Sequence, residues 1–538
     1  MPAVPIQRTP ARPGALLARL FAGPSRRSEL IFWGLVLAGV AGLRWGVASR
    51  LPTYVWTRDS GSYVFPAITW LDGSPWVTSA RRGPVYSLFL ALIFRAGGTL
   101  RTVADVQAVL GGFTTLLTLG AARLWLGRRA FWPVAGCALF FVLYGMPVEL
   151  ERLVRNETLL GLFATVAFGA WFCVLRTGRA SWLALSGLAA GLMQLLKGIF
   201  PIFPLIVLGV VVWQWWGRPR RAAALGTVFL VLFLLPLVSS KLYSRLSGTT
   251  RPAEPEDGQM FYGRTAQWTY LEPDGILPDL KARIHDQAFA YAERYRRTGK
   301  LENNDIVKRT VVPTLKTVIV NERGGTLVEV NRVSWRLGLE AVRHHPGAYL
   351  RQFLHDLQHL NFVTAHSMTP FEPRALANAG RDAGRDAGLY VEKQGKGSAL
   401  TARVFDLPRS TQVLRQATRP DGTLQRYAHR LRALGRLRPL SPVALTTLLL
   451  PLLVWRTRGR HQAFWIGNVL LWFYYLVLLS TVGRPLDRYM MPVLPVMFWT
   501  VATAASLGWE QWRRATGQAN SLSVVPARAP GETTVQPG

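Results

Sequence analysis

Residues 222–241 read AAALGTVFLVLFLLPLVSSK, with Arg218, Arg220 and Arg221 just ahead and no charge between Ala222 and Ser240. Twenty residues at about 1.5 Å rise each span about 30 Å, the thickness of a bilayer's hydrocarbon core. Apolar runs of similar length recur at about 30–48, 102–124, 130–148, 157–175, 181–197, 199–216, 440–456, 461–480 and 489–508. Half of the 538 residues are hydrophobic and only 17% are charged, with 20 Trp and 25 Phe. That balance excludes a soluble enzyme, a disordered chain and a small disulfide-stapled domain. The sequence predicts an all-α polytopic membrane protein.

Charge orients the spans. The connecting segments 123–129 (RLWLGRR), 176–180 (RTGRA), 217–221 (GRPRR), 456–460 (RTRGR) and 513–514 (RR) hold no acid and read as cytoplasmic. With the basic, Pro-rich residues 1–29 also inside, all five fall on one side only if the short apolar stretch 84–97 does not cross. It is then a helix on the outer surface, within a first external loop of about 49–101. About ten transmembrane helices result, with both tails, 1–29 and 509–538, in the cytoplasm. Seven spans lie within 30–241 and three within 440–508. Between them, the loop 242–439 holds 20 of the 30 acidic residues, which places it in water outside the bilayer as a large α-rich domain. Within it, 375–400 (ALANAGRDAGRDAG…) reads as low-complexity and mobile. The stretch 425–438 alternates Arg and Leu faces, as a helix lying on the membrane would.

The net charge of +33 comes largely from Arg; no nucleic-acid recognition motif accompanies it, so no nucleic-acid partner is expected. Positive-inside signal accounts for much of the excess. Cys137 and Cys173 both lie in apolar runs, which argues against a disulfide framework or a cysteine zinc site.

Five places outside the bilayer carry residues able to do chemistry. Trp56-Thr57-Arg58-Asp59-Ser60-Gly61-Ser62-Tyr63 follows the first span, and a carboxylate flanked by Arg, Ser and Tyr can serve as a general base. The competing reading is that Asp59 only caps the helix that follows. Arg81-Arg82-Gly83-Pro84-Val85-Tyr86 sets two cations against the positive-inside bias, suited to phosphate oxygens or to anionic headgroups. The short loop Glu149-Leu150-Glu151-Arg152-Leu153-Val154-Arg155-Asn156-Glu157 packs three acids and two arginines beside hydrocarbon, either as a functional cluster or as a solvated turn capped by Asn156. Lys197 ends the pair of spans around it, either snorkelling or neutralising an anion. Arg484 and Arg488-Tyr489 stand in the last external loop, with the same two readings. His355 and His359, four apart, supply at most half of a zinc site, and no HExxH, P-loop, GxSxG or Asp-x-Asp is present.

The order of these features resembles the GT-C superfamily of membrane glycosyltransferases, in particular the polyprenyl-phosphate-sugar-dependent aminoarabinose transferases of lipid A and the protein O-mannosyltransferases. The likeness covers residues 30–245 and, less fully, 480–500; His344-His345-Pro346-Gly347-Ala348-Tyr349-Leu350 also looks like a phrase of these enzymes. It implies a GT-C-like bundle in which Asp59 is the first-loop catalytic aspartate. Glu157 stands where a second-loop acid is expected, with Glu149 and Glu151 as alternatives. Lys197 and Arg488-Tyr489 match a cation after the fifth span and an Arg-Tyr before the last.

The implied activity is an inverting transfer from a polyprenyl-phosphate sugar donor to an acceptor hydroxyl or phosphate of an envelope lipid, glycan or protein. It would take place on the outer face of the cytoplasmic membrane. Arg58, Arg81, Arg82, Lys197, Arg484 and Arg488 form the pool of donor-phosphate contacts. Tyr63, Glu151, Glu157, His345 and Tyr489 are candidates for the sugar and acceptor side. No cofactor is expected, since the cations can match the leaving phosphate without a metal. Three rival readings are a transporter or lipid flippase, a non-catalytic assembly or sensor protein whose 242–439 loop binds a partner, and a lipid-linked oligosaccharide ligase. The charges cluster at outer span ends rather than midpoints, and the two halves of the chain are unlike, which disfavours the transporter.

Overall fold

A computed structural model describes residues 25–57, 59–74, 82–127, 131–142, 146–198, 201–246, 257–269, 275–298, 304–362, 371, 373–394, 398–419, 422–436, 442–458, 460–481 and 492–515. Among them there is no strand, only an isolated parallel bridge between Val55 and Leu153. The protein is an all-α polytopic membrane protein. Among the described residues, four helices are long and apolar enough to cross a bilayer: α1 (Arg26–Arg50), α4 (Leu100–Leu126), α7 (Glu157–Thr177) and α10 (Pro219–Leu246), numbered with α2 (Gly61–Leu71), α3 (Pro84–Arg95), α5 (Phe131–Val142), α6 (Met146–Leu150), α8 (Ala180–Leu196) and α9 (Phe203–Gln214) between them.

Local chemistry sets their ends. Ser25 accepts from the Ser28 N–H at the start of α1, and Thr99 and Thr102 form a reciprocal capping box at the start of α4. Pro84 opens α3, where its missing N–H costs nothing. Helix α9 is twelve residues, about 18 Å, shorter than the expected span 199–216; residues 199–200 lie outside the described ones. Likewise α5 covers only part of the expected span 130–148.

The spans close on one another through small residues and aromatics. A Cβ on Gly187 or Gly191 would stand 2.4 Å from the Phe229 carbonyl or 2.3 Å from that of Phe233, so α8 meets α10 backbone to backbone. The C-terminal helices α20 (Pro442–Arg456), α21 (Arg460–Thr481) and α22 (Leu494–Ala515) join the same core. Phe172 stacks on Trp499 with ring centroids 5.3 Å apart, Phe464 packs edge-on to Phe172, and the Trp499 indole donates to the Thr118 carbonyl at 2.9 Å.

The region between α10 and Pro442 falls into two parts. Helices α11 (Asp257–Thr269), α12 (Pro278–Thr298), α13 (Asn304–Lys316), a π-helical turn Thr317–Glu322 and α14 (Leu327–His344) share their own core around Tyr262, Ile284, Leu315 and Leu337; α15 (Pro346–Phe362) follows. Helices α16 (Pro373–Gln394), α17 (Ser398–Phe405), α18 (Leu407–Ala417) and α19 (Thr423–Arg436) instead extend the main core.

This corrects the reading of 375–400 as mobile. Residues 373–394 are helical, because the repeated Ala sets Leu376, Ala379, Ala383, Ala387 and Tyr390 at spacings of three and four on one buried face. The polar composition that suggested disorder is simply the other face. Helix α19 rests on the end of α1, where the Tyr427 hydroxyl donates to the Leu43 carbonyl at 3.3 Å and Arg50 lies over the Tyr427 ring.

The positive-inside argument has a direct check. Ser74 and Gly217 are both exposed, in the first loop and in the GRPRR segment respectively. In a cysteine-free background, a membrane-impermeant thiol reagent added outside intact cells should label Ser74→Cys and leave Gly217→Cys unlabelled. External labelling at Gly217 would overturn the ten-span orientation.

Candidate active site

The first and second loops are laced together. The Val55 N–H donates to the Arg152 carbonyl at 2.8 Å and the Val154 N–H to the Val55 carbonyl at 3.2 Å, while Ser60 Oγ donates to the Val154 carbonyl at 3.0 Å. Gln107 on α4 donates from Nε2 to the carbonyls of Glu151 and Leu153, at 2.8 and 2.7 Å, and accepts the Tyr86 hydroxyl at 2.7 Å. These bonds satisfy loop backbone held close to hydrocarbon, where an orphaned group is costly. Residues 151–157 are buried throughout, so the solvated-turn alternative for that loop is excluded.

On this lacing the Asp59 carboxylate meets, among the described residues, the guanidinium groups of Arg82 and Arg155. Arg82, from the segment before α3, approaches Oδ1 at 2.9 Å; Arg155, from the second loop, bonds Oδ2. Arg155 also faces Glu157, Nε to Oε2 at 3.4 Å. Arg82 lies over the ring of Tyr63, 5.3 Å from its centroid, and Tyr63 packs edge-on against Tyr86 at 5.0 Å. Burial pushes the Tyr63 phenol well above its ordinary value, with Arg82 pulling the other way, so it serves as a neutral hydroxyl.

The cap reading of Asp59 fails here. Its carbonyl accepts from Ser62, but its carboxylate is turned to the arginines, and the N-cap residue of α2 is Ser60, whose side chain makes no capping bond.

The end of α8 is drawn to the same place. Asn156 does not cap α7; its Nδ2 donates to the Leu196 carbonyl at 2.8 Å, next to the half-buried Lys197. Gly83 presses on the Leu195 carbonyl, which a Cβ there would approach to 1.4 Å. Arg82 and Lys197 are thus each carried on backbone fastened to the last turn of α8.

The structure brings Asp59, Arg82, Tyr63 and Glu157 into one cluster, with Lys197 on a neighbouring turn. Glu151 goes elsewhere: it is fully buried and paired with Arg44 of α1, Nη2 to Oε1 at 2.6 Å. Burial pushes its carboxyl up to about 7, Arg44 notwithstanding. Glu149, on α6, is equally buried. His345 follows α14, where its N–H bonds to the Ala341 carbonyl. His355 is exposed and faces Asp356 at 3.5 Å, and among the described residues no group of three potential metal ligands forms. Arg58, Arg81, Arg484, Arg488 and Tyr489, and the side chain of His359, lie outside the described residues.

Three partners were not picked out from sequence. Arg155 was one charge among five in its loop. Arg152, another of those five, is buried and pairs with Asp105 at 2.7 Å. Arg44 carried a usable signal, being the lone charge inside the first apolar run.

No protein-family model matches the chain, and no curated protein matches it by sequence. Among solved structures it is similar to the Saccharomyces cerevisiae protein O-mannosyltransferase complex bound to the sugar donor, with 17% identity and a TM-score of 0.33 over 48% of this chain and 40% of that one. It is also similar to ArnT from Cupriavidus metallidurans bound to undecaprenyl phosphate, with 14% identity and a TM-score of 0.34 over 81% of this chain and 84% of that one. The apo form of ArnT gives the same identity and TM-score. The chain therefore spans under half the length of the yeast protein it matches, and at this level of likeness the chemistry rests on the residues of the site itself.

Proposed function

We propose that the chain is an inverting glycosyltransferase that moves a sugar from a polyprenyl-phosphate donor to an acceptor hydroxyl on the outer face of the membrane. The observation that carries this reading is the Asp59 carboxylate held between Arg82 and Arg155, beside the turn bearing Lys197. A carboxylate able to take a proton and cations able to meet a phosphate then stand together where a membrane-embedded donor presents its headgroup.

Asp59 takes the proton of the acceptor hydroxyl as its oxygen forms a bond to the anomeric carbon. The bond from that carbon to the phosphate oxygen breaks, and the electron pair leaves with the polyprenyl phosphate. A phosphate monoester's second pKa lies near about 6, so it departs at neutral pH without a general acid. The growing negative charge is met by Arg82 and Lys197. Glu157 keeps Arg155 in place. The lipid chain lies along the apolar surface beside α3.

Mass spectrometry of envelope lipids, glycans and proteins, with and without the chain, tests this reading. A mass increment of one sugar should disappear from one acceptor class. An unchanged envelope together with no transfer by the purified protein would refute it. Lys197→Ala should weaken donor use by roughly tenfold to a hundredfold, the worth of one charge-assisted hydrogen bond. Arg381→Ala, on the exposed face of α16, should leave it unchanged. Equal donor saturation curves for Lys197→Ala and wild type would remove Lys197 from the phosphate site.

A further inference from the structure

The two arginines on Asp59 are built differently. The Arg155 side chain is 8% exposed, contacts two carboxylates, and sits on backbone pinned by the Val55–Val154 bond and by Asn156 reaching Leu196. To move it would strip Asp59 and Glu157 together and break buried hydrogen bonds. The Arg82 side chain is 29% exposed and pairs with Asp59 alone among the described residues. Its Nε, like that of Arg155, is buried without a hydrogen bond among the described residues, so the difference between the two lies in exposure and in the number of carboxylates each contacts. Its other contact, the face of Tyr63, tolerates sliding because it has no fixed hydrogen-bond direction.

We propose that Arg155 is the fixed positioning residue of the Asp59 carboxylate, whereas Arg82 is exchangeable and leaves Asp59 for the donor phosphate. The inference rests on the donor reading above. Before donor arrives, Arg82 satisfies Asp59 and keeps the loop assembled. A phosphate brings more negative charge and more acceptor oxygens than one carboxylate, and it can also occupy the idle Nε–H. Once Arg82 has turned to the phosphate, its hold on Oδ1 of Asp59 is released toward an acceptor hydroxyl while Arg155 holds Oδ2. Donor binding and exposure of the base thereby become one event, which keeps Asp59 covered until there is a sugar to transfer.

The consequence is that Asp59 competes with the donor for Arg82. Binding of a long-chain polyprenyl monophosphate to the full chain in nanodiscs, followed by calorimetry, should be roughly tenfold tighter in Asp59→Asn than in wild type. Arg82→Gln should weaken that binding and erase the gain when combined with Asp59→Asn. Arg155→Gln should leave binding within about twofold of wild type yet lower the transfer rate, with Arg155→Lys recovering part of it. Thermal unfolding of each variant identifies any that fail to fold, and Arg82→Lys then substitutes for Arg82→Gln. Folded Asp59→Asn binding no tighter than wild type would overturn the exchange. Arg155→Gln weakening binding as much as Arg82→Gln would overturn the division of roles. Absence of polyprenyl phosphate binding by wild type would instead refute the donor reading itself.

Discussion

Asp59→Asn is expected to insert, fold and hold the lipid donor while transferring almost nothing. The asparagine keeps the shape and one acceptor oxygen for a guanidinium but cannot take a proton. Loss of a general base lowers a rate by about 10²–10⁴-fold. The structural cost is smaller, because the Asp59 side chain is 30% exposed and Arg155 retains Glu157. The control is Asp72, the other acid among residues 49–101. It ends α2 on the surface, where Gly73 takes a positive φ of 83° to turn the chain. Asp72→Asn should therefore transfer at close to the wild-type rate. A purified-enzyme assay with lipid-linked sugar and thermal unfolding of both variants decides the matter. Folded Asp59→Asn with near-normal activity beside an inactive Asp72→Asn would move the base to Asp72.

Long apolar helices such as α4 and α10 were legible because crossing a bilayer demands enough consecutive apolar residues, and that rule is local in sequence. Residues 222–241 needed no knowledge of their neighbours. The site was legible only as separate fragments. Asp59 and Lys197 each stood out as a charge just past an apolar run, and Arg82 as a cation against the positive-inside bias, but nothing in their spacing says that the second loop would deliver Arg155 to Asp59. That pairing depends on the Val55–Leu153 bridge and on Gln107 holding two loop carbonyls, contacts between segments 44 to 98 positions apart that leave no periodic trace.

Residues 373–394 misled for a related reason. Ala, Gly, Asp and Arg in short repeats match the composition of a disordered linker, and only the packing of α16 on α18 and on the Phe65 and Trp56 rings shows what its Ala face is for. Tyr390 stacks on Phe65 at 4.5 Å and Asp386 accepts from the Trp56 indole at 3.0 Å, so this helix covers the back of the loop that carries Asp59.

Arg44→Met is expected to destabilise the fold severely. Arg44 is 10% and Glu151 1% exposed, and Arg44 also donates to the Ala108 carbonyl at 3.0 Å. Removing one member of a buried pair leaves the other uncompensated, at about 3–5 kcal/mol. Here the remaining carboxyl has an escape, since it can take up a proton. Glu151 already lies at about 7 in the folded chain, above the usual 4.5, because burial outweighs Arg44. A raised carboxyl pKa means that the folded state binds the proton more tightly, so stability falls as pH rises between those two values and levels off above the higher one. Without Arg44 the upper limit moves further up. The stability deficit of Arg44→Met relative to wild type should therefore widen as pH is raised from about 7 to about 9, and be smallest near pH 5. Adding Glu151→Gln removes the titrating group and should flatten that dependence while recovering part of the loss. Thermal unfolding in detergent across that range measures it. A deficit independent of pH would mean that Arg44 acts through its packing and its bond to Ala108, and that the charge on Glu151 is answered by Arg152 instead.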